Sequence, residues 1–411
     1  MVFAMAGLYF FSFFQRVAVP GAVFNELQAE FVLTAAEVTK LSAIYLFVYA
    51  AMQPFAGLLA DRFGGVKVVL ASGALLLAGA TCFPLSHGVW GLYLSRALVG
   101  LGASTMYLCL VKETDRYFGG KNFAPIFGLM CMIGYCGGLA GTSPFRALVE
   151  GLGWRASCFV AAGGTCLMLA LVWVMSRRVD GHEGGKAGEL WASALAVLRN
   201  KLNYPIMVTT ALSFSIYFSL QAVIGPKFLA DCCGISPLAS SQYTFVMMLA
   251  TMAAMLFSGM LSKALGNRRK GFAVFTGMAS LVAALVLLLG TLLKAPPGLF
   301  LCAFVLLAMA SGCTPVQAAL VKESNDPGKV AVSIGLLNTS AYVMVAIMSQ
   351  VIGKILDLFS AQVVVTATAK VYPTSAYATL FAVLLVAGTV AAGASFFTRE
   401  THGRNISGVR G

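Results

Sequence analysis

Two arginines fall inside long apolar stretches of this chain, Arg16 and Arg96. A guanidinium at the centre of a bilayer costs on the order of 3 kcal/mol even on the lenient insertion scale, so such residues normally bind something or hold helices together. Arg16 lies about fourteen residues into the first apolar stretch. That is roughly 21 Å along a helix at about 1.5 Å per residue, near the middle of a membrane. Its planar fork suits two oxygens of a carboxylate or phosphate at once; the alternative is a buried structural arginine bonded to backbone carbonyls. Tyr45 and Tyr49 are one turn apart on a single helix face and offer hydroxyl donors. Tyr135, Tyr217, Gln221 and Asn338 are further polar groups in apolar surroundings, each a candidate ligand or an interhelical hydrogen bond. No Asp or Glu stands in the middle of an apolar stretch; Glu26, Glu113 and Glu323 are nearest, towards the ends. The reading is an electropositive cavity that an anion completes, moved by proton-coupled symport, by anion exchange or by uniport.

The elements that must position these residues are membrane helices. Of 411 residues, 59% are hydrophobic and 10% charged, and the mean hydropathy is +0.86; soluble domains carry roughly a quarter charged residues. Apolar stretches fall near 2–24, 41–60, 66–86, 89–111, 124–146 and 156–176, then 205–230, 239–262, 271–293, 298–321, 331–356 and 374–397. Each is close to the ~20 residues that cross a bilayer. The expectation is an all-α membrane protein of twelve spans. Two six-helix bundles, 1–176 and 205–397, flank a central cytoplasmic loop, 177–204, and a cytoplasmic tail follows, 398–411. Leu190, Ala194 and Leu198 repeat at helical spacing within the loop, which suggests a segment lying on the membrane surface.

The net charge of +13 is no nucleic-acid signal, because the basic residues sit in short connections between apolar stretches. Nineteen lie on the side of the central loop and seven on the other, with Arg16 and Arg96 left within spans. Both termini are therefore expected in the cytoplasm. Lys227 counts among the seven, and Cys232 and Cys233 fall in the same outer loop; the other eight cysteines read as small packing residues. The first apolar stretch has no basic leader and is too long for a signal peptide. Neither a nucleotide-binding loop nor metal-ligand spacing is present, and His87, His182 and His402 fall in loops, so no cofactor or metal is expected.

The halves repeat. Residues 55–67 match 257–269, Val111-Lys112-Glu113 returns as Val321-Lys322-Glu323, and Gly128-Leu129 as Gly335-Leu336. Within this repeat, Gly57, Asp61, Arg62, Gly64 and Lys67 resemble the G-x-x-x-D-R-x-G-R-[RK] loop between spans 2 and 3 of the major facilitator superfamily (MFS), with Gly65 where the family has Arg. The resemblance implies the MFS fold, two bundles related by pseudo-twofold symmetry, and a conformational lock at Asp61-Arg62. Arg96 with Gly100 and Gly102 resembles the family's R-x-x-x-G-x-G, implying a role in coupling helices. Gly134, Gly137, Gly138 and Gly141 resemble the glycine-rich fifth span of antiporters, although close packing accounts for them equally.

Phe14-Gln15-Arg16, Tyr45 to Pro54, Lys112 to Phe118 and Gly335 to Asn338 are most similar to bacterial sugar-phosphate permease-like proteins and organic anion symporters. That likeness implies a monomeric carrier of a small anion in the bacterial inner membrane, with a substrate-binding arginine at position 16. Two departures count against proton symport: Gln15 replaces the symporters' Asp, and Ala103 stands where they carry an acid. A drug or siderophore exporter of the same fold is the alternative, and a non-transporting receptor is one of another class. An enzyme is disfavoured, since no nucleophile–base pair appears in the spans.

Overall fold

The computed structural model describes residues 1–118, 123–177, 190–326, 329–366 and 369–407. The chain divides into two compact units, Met1–Leu33 with Glu37–Gly188, and Thr34–Ala36 with Glu189–Gly411. Among the described residues ten helical segments are long and apolar enough to cross a membrane, and two shorter apolar helices, Val2–Ala18 and Leu129–Ala140, accompany them.

The first unit contains α1 (Val2–Ala18), α2 (Phe24–Phe31), α3 (Ala35–Phe63), α4 (Gly65–Leu85), α5 (Val89–Ala103), α6 (Met106–Phe118), α7 (Phe123–Ala140), α8 (Ser143–Leu152) and α9 (Trp154–Ser176). The first apolar stretch, expected to run to residue 24, instead stops at Ala18, where Val19 turns to extended backbone before Pro20. Proline donates no backbone hydrogen bond and disfavours helix in the residue before it. Span 4 is likewise two helices, parted at Ser104 and Thr105, with the Ser104 carbonyl accepting from Gln53 Nε2 at 3.1 Å. The fifth stretch breaks before Pro144, so its C-terminal end is the separate helix α8.

In the second unit α10 (Leu190–Arg199) leads into α11 (Asn203–Phe218), a π-helical turn (Ser219–Ile224) and α12 (Gly225–Cys233), which together form span 7. Then come α13 (Pro237–Ala264), α14 (Lys270–Leu292), α15 (Pro297–Ser311), α16 (Thr314–Glu323), α17 (Val330–Leu358), a two-stranded hairpin and α18 (Thr374–Phe396). The hairpin strands, β1 (Val364–Val365) and β2 (Lys370–Val371), pair antiparallel. The surface segment expected around residues 190–198 is helical, but its Val197 packs into a core with Ile206, Met207, Ala273, Leu320, Val321 and Leu337. Leu198 is exposed.

Close backbone approach explains two glycine groups. A Cβ on Gly100 would lie 2.6 Å from the Tyr45 carbonyl oxygen, and one on Gly102 only 2.4 Å from Leu76 N. A Cβ on Gly137 would reach 2.0 Å from the Phe10 carbonyl, while one on Gly134 would strike the Tyr9 ring. The fifth-span glycines thus press α7 against α1, the helix that carries Arg16.

Candidate functional site: an arginine in a tyrosine cage

The break in α1 places Arg16 in the helix's last turn, two residues before its end. A helix end leaves carbonyl groups without partners, and a cation there also favours the negative end of the helix dipole. Arg96 meets part of that demand. It is 1% exposed; its Nη1 donates to the Gln15 carbonyl (3.0 Å), Nη2 to the Val19 carbonyl (3.3 Å) and Nε to the Leu41 carbonyl (3.3 Å). One guanidinium therefore ties the end of α1 to α3 from its own place on α5. The partners are neutral dipoles and an aromatic face: the Arg96 carbon lies 4.7 Å from the Tyr45 ring centroid. No carboxylate among the described residues lies within ion-pair distance of Arg96, so its charge is solvated but not cancelled.

Arg16, 3% exposed, shares that tyrosine. Its Nε donates to the Tyr45 hydroxyl at 3.3 Å. Its guanidinium carbon lies 4.6 Å from the Phe13 centroid and 4.6 Å from that of Tyr49, within the range of cation–π attraction. Tyr45 and Tyr49 stack at 6.0 Å, as their shared helix face requires. Beyond them the aromatic wall continues. Phe13 packs at 4.9 Å on Tyr135 of α7 and at 5.8 Å on Tyr9, and Tyr9 lies 6.1 Å from Tyr107 of α6. Arg16, Tyr45, Tyr49 and Tyr135 are thus brought into one cluster. Tyr9 and Tyr107 belong to it although sequence reasoning passed them over. Tyr9 was legible, since it precedes Arg16 by seven residues, two helical turns on one face; no local pattern marks Tyr107.

The other first-half residues lie elsewhere. Gly64 has φ +83° and links α3 to α4, a conformation that suits glycine. A Cβ on Gly57 would meet open space, and Arg62 is exposed beside the Phe63 ring. The side chain of Asp61 lies outside the described residues. Of the three terminal acids, Glu26 is ion-paired to Arg146 (2.6 Å) and Glu323 to Arg269 (3.1 Å), while Glu113 is 3.6 Å from Arg116.

In the second unit Tyr217 accepts a hydrogen bond from Thr251 at 3.0 Å, and Asn338 is half-buried on α17. Gln221 lies in the π-helical turn, 3% exposed, its amide nitrogen buried without a hydrogen-bond partner. Lys227 corrects the loop assignment. It is buried in α12 and ion-paired at 3.0 Å with Asp231, both side chains at most 3% exposed. Lys227 also donates to the Lys370 carbonyl (2.6 Å), and Asp231 accepts from Tyr372 N (3.1 Å) and the Tyr377 hydroxyl (2.7 Å). Cys232 and Cys233 close the same helix rather than lying in a loop. The missed signal was the i,i+4 spacing of Lys227 and Asp231.

A second missed signal joins the units by sequence. Gln15-Arg-Val-Ala-Val-Pro20 and Gln221-Ala-Val-Ile-Gly-Pro226 share Q-x-V-x-x-P, and in each half the first spanning helix is interrupted within that stretch. Arg16 corresponds to Ala222.

Known proteins bear on this arrangement in three ways. Residues 5–349 match the sequence profile of the Major Facilitator Superfamily. Monocarboxylate transporter 7 of Homo sapiens is 30% identical over 139 residues, 33% of this chain and 26% of that protein. The inner membrane transport protein YajR of Escherichia coli (strain K12) is 30% identical over 198 residues, 46% of this chain and 41% of that protein. These matches span less than half the length of either relative. The fold is similar to the crystal structure of a point mutant of the nucleoside transporter NupG, with a TM-score of 0.76 at 12% identity over 97% of this chain and 99% of that one. A bacterial homolog of the human lysosomal transporter Spinster, inward-facing and occupied, gives 0.74 at 17% over 97% and 96%. A multi-pass helical chain with this repeat, this fold and a profile match from residue 5 to residue 349 belongs to the major facilitator superfamily.

Proposed function

We propose that the chain is a secondary transporter of a small organic anion, a carboxylate, amino acid or phosphorylated metabolite, which Arg16 anchors. One observation carries this reading: Arg16 is buried at the end of α1, with Phe13 and Tyr49 against its guanidinium and Tyr45 on its Nε. Aromatic faces fix the plane of the guanidinium, and a planar fork has the geometry that pairs with two anionic oxygens. Arg96 adds a second positive charge that its carbonyl partners leave uncancelled. Transport of monocarboxylates, which the names of several relatives state of those proteins, is consistent with this chemistry.

The anion crosses by alternating access, coupled to a proton or exchanged for another anion. The excess of basic residues on the side of the central loop supports an orientation with both termini in the cytoplasm, and the resemblance to bacterial anion carriers supports the bacterial inner membrane as the location.

Purified protein screened by thermal shift against small anions should find stabilising ligands. Arg16→Ala should abolish the shift, and Arg16→Lys should restore only part of it, because an ammonium offers no planar fork. Equal stabilisation of the wild type and Arg16→Ala by cationic drugs would instead favour an exporter. Uptake into liposomes under an imposed pH gradient, compared with anion preloading, separates symport from exchange.

A further inference from the structure

The helix that leads into span 7 carries two apolar faces, and packing within its own unit uses one of them. Val197 of α10 is 1% exposed and packs into the core of the second unit. Leu195, Leu198 and Arg199 stand at i, i+3 and i+4, so they form one stripe on the other side of the helix. Leu195 and Leu198 are 48% and 45% exposed, and Arg199 is exposed beside them. The stripe continues onto α11. The Tyr204 hydroxyl donates to the Leu198 carbonyl at 2.8 Å, which sets Tyr204 against the end of α10. Tyr204 and Val208, one turn apart on α11, are both exposed, as is Lys201 in the connection between the two helices.

An isolated helix of ten residues is marginal in water, yet α10 is held firmly. Asn200 Nδ2 donates to the Ser324 carbonyl (2.8 Å) and to Asn325 Oδ1 (3.0 Å). Asn203 Nδ2 donates to the Val197 carbonyl (2.8 Å) and also to Asn325 Oδ1 (3.0 Å). Asn325 Nδ2 donates back to Asn203 Oδ1 (2.8 Å) and on to the Val321 carbonyl (2.8 Å). This knot of three amides fixes α10 to the start of α11 and the end of α16, all within the second unit.

Span 7 begins at Asn203, three residues after α10 ends, so α10 lies where hydrocarbon meets headgroups. At that level leucines reach acyl chains, a tyrosine suits the boundary, and Lys and Arg meet phosphate. We infer that the exposed stripe of α10, together with Lys201 and Tyr204, is a docking surface for the headgroups of anionic phospholipids. Two observations select this occupant. The stripe is continuous with the exposed side of a spanning helix, and its two basic side chains beside leucines complement a phosphate beside acyl chains. Through the amide knot, lipid engaged at α10 steadies α11 and α16 as well. The inference is independent of what Arg16 binds.

The test uses purified full-length protein in nanodiscs of phosphatidylcholine alone, or of phosphatidylcholine mixed with phosphatidylglycerol. The apparent Tm of the wild type should rise when phosphatidylglycerol is present. Arg199→Gln with Lys201→Gln should lose most of that rise and melt like the wild type in phosphatidylcholine alone. Lys263→Gln with Arg268→Gln removes two exposed charges at and after the end of α13 and should keep the rise. Leu195→Ser with Leu198→Ser should lose it, because the headgroup contact needs its apolar footing. An undiminished rise in the Arg199 and Lys201 variant overturns the inference, as does a wild type that melts alike in both lipids. An equal loss from both basic pairs also overturns it, since that is general attraction of one side of the protein to anionic lipid. Inorganic phosphate added to phosphatidylcholine discs should leave the Tm unchanged; a rise equal to that with phosphatidylglycerol would mean a soluble-anion site in place of a lipid surface.

Discussion

The first spanning helix of each half is interrupted at the same Q-x-V-x-x-P pattern, and the two interruptions are built differently. In the first half α1 ends outright, and Arg96 from α5 takes up carbonyls of Gln15 and Val19. In the second the helix continues through a π-turn and on into α12. The corresponding residues next to the glutamines are Arg16 and Ala222. Charge follows the same division. Arg96 of the first half is held by neutral groups, whereas the buried Lys227 of the second is neutralised by Asp231, which is itself saturated by Tyr372 and Tyr377. A cation held by dipoles keeps its field, whereas a cation in a closed ion pair serves as scaffold. The two halves thus bury their cations in different ways, one among neutral groups and one against a counter-ion.

The scaffold side of this contrast offers the largest effect. Asp231→Ala leaves Lys227 buried and uncompensated, and breaking such a pair costs about 3–5 kcal/mol. The apparent Tm should fall sharply, while Lys227→Met with Asp231→Leu together should recover most of the loss. If the single variant melts like the wild type, the pair is not the frame described.

Next in size is the reciprocal change, Ala222→Arg, which writes the first half's charge into the second. Ala222 is 1% exposed, so a guanidinium there would be buried. A destabilisation of about 3 kcal/mol is expected, with no gain in anion affinity. Thermal melts with and without anion would read both, and a stable variant with tighter anion binding would mean that the halves are interchangeable.

The smallest effect lies at the second half's α14 end. Burial pushes the Glu400 carboxyl up, but backbone N–H groups of Arg269, Thr401, His402 and Lys270 outweigh it and hold the group below its ordinary value of 4.5. Two of them, Arg269 N at 2.7 Å and Lys270 N at 3.0 Å, open α14. A depressed folded-state value gives stability that is complete above about pH 4.5 and is lost as the pH falls below it. Melts between pH 6 and pH 4 should therefore show a small loss towards the acid end that Glu400→Gln largely removes. An identical pH profile in that variant would discard the cap.

Much of the molecule was legible from residue types alone. Hydropathy marks twelve apolar stretches because lipid demands ~20 apolar residues per crossing. The Gly57–Lys67 loop and its echo at 259–269 identify the family, because both are short-range patterns. The breaks were less legible: Pro20 and Pro226 were visible, but one proline ends a helix and the other widens it. Which outcome follows depends on whether a distant side chain such as Arg96 is present to satisfy the freed carbonyls.

Residue types and their spacing were enough to give a membrane chain of two repeated halves with an arginine in its first span. Composition, periodicity and charge asymmetry are properties of single stretches and need no knowledge of neighbours. It took the packed helices to reveal that Arg16 sits in an aromatic cage while Arg96 ties helices, and that Lys227 is paired with Asp231. Buried charges are defined by what surrounds them. Partners from α1, α3, α5, α6 and α7 meet only when the bundle packs.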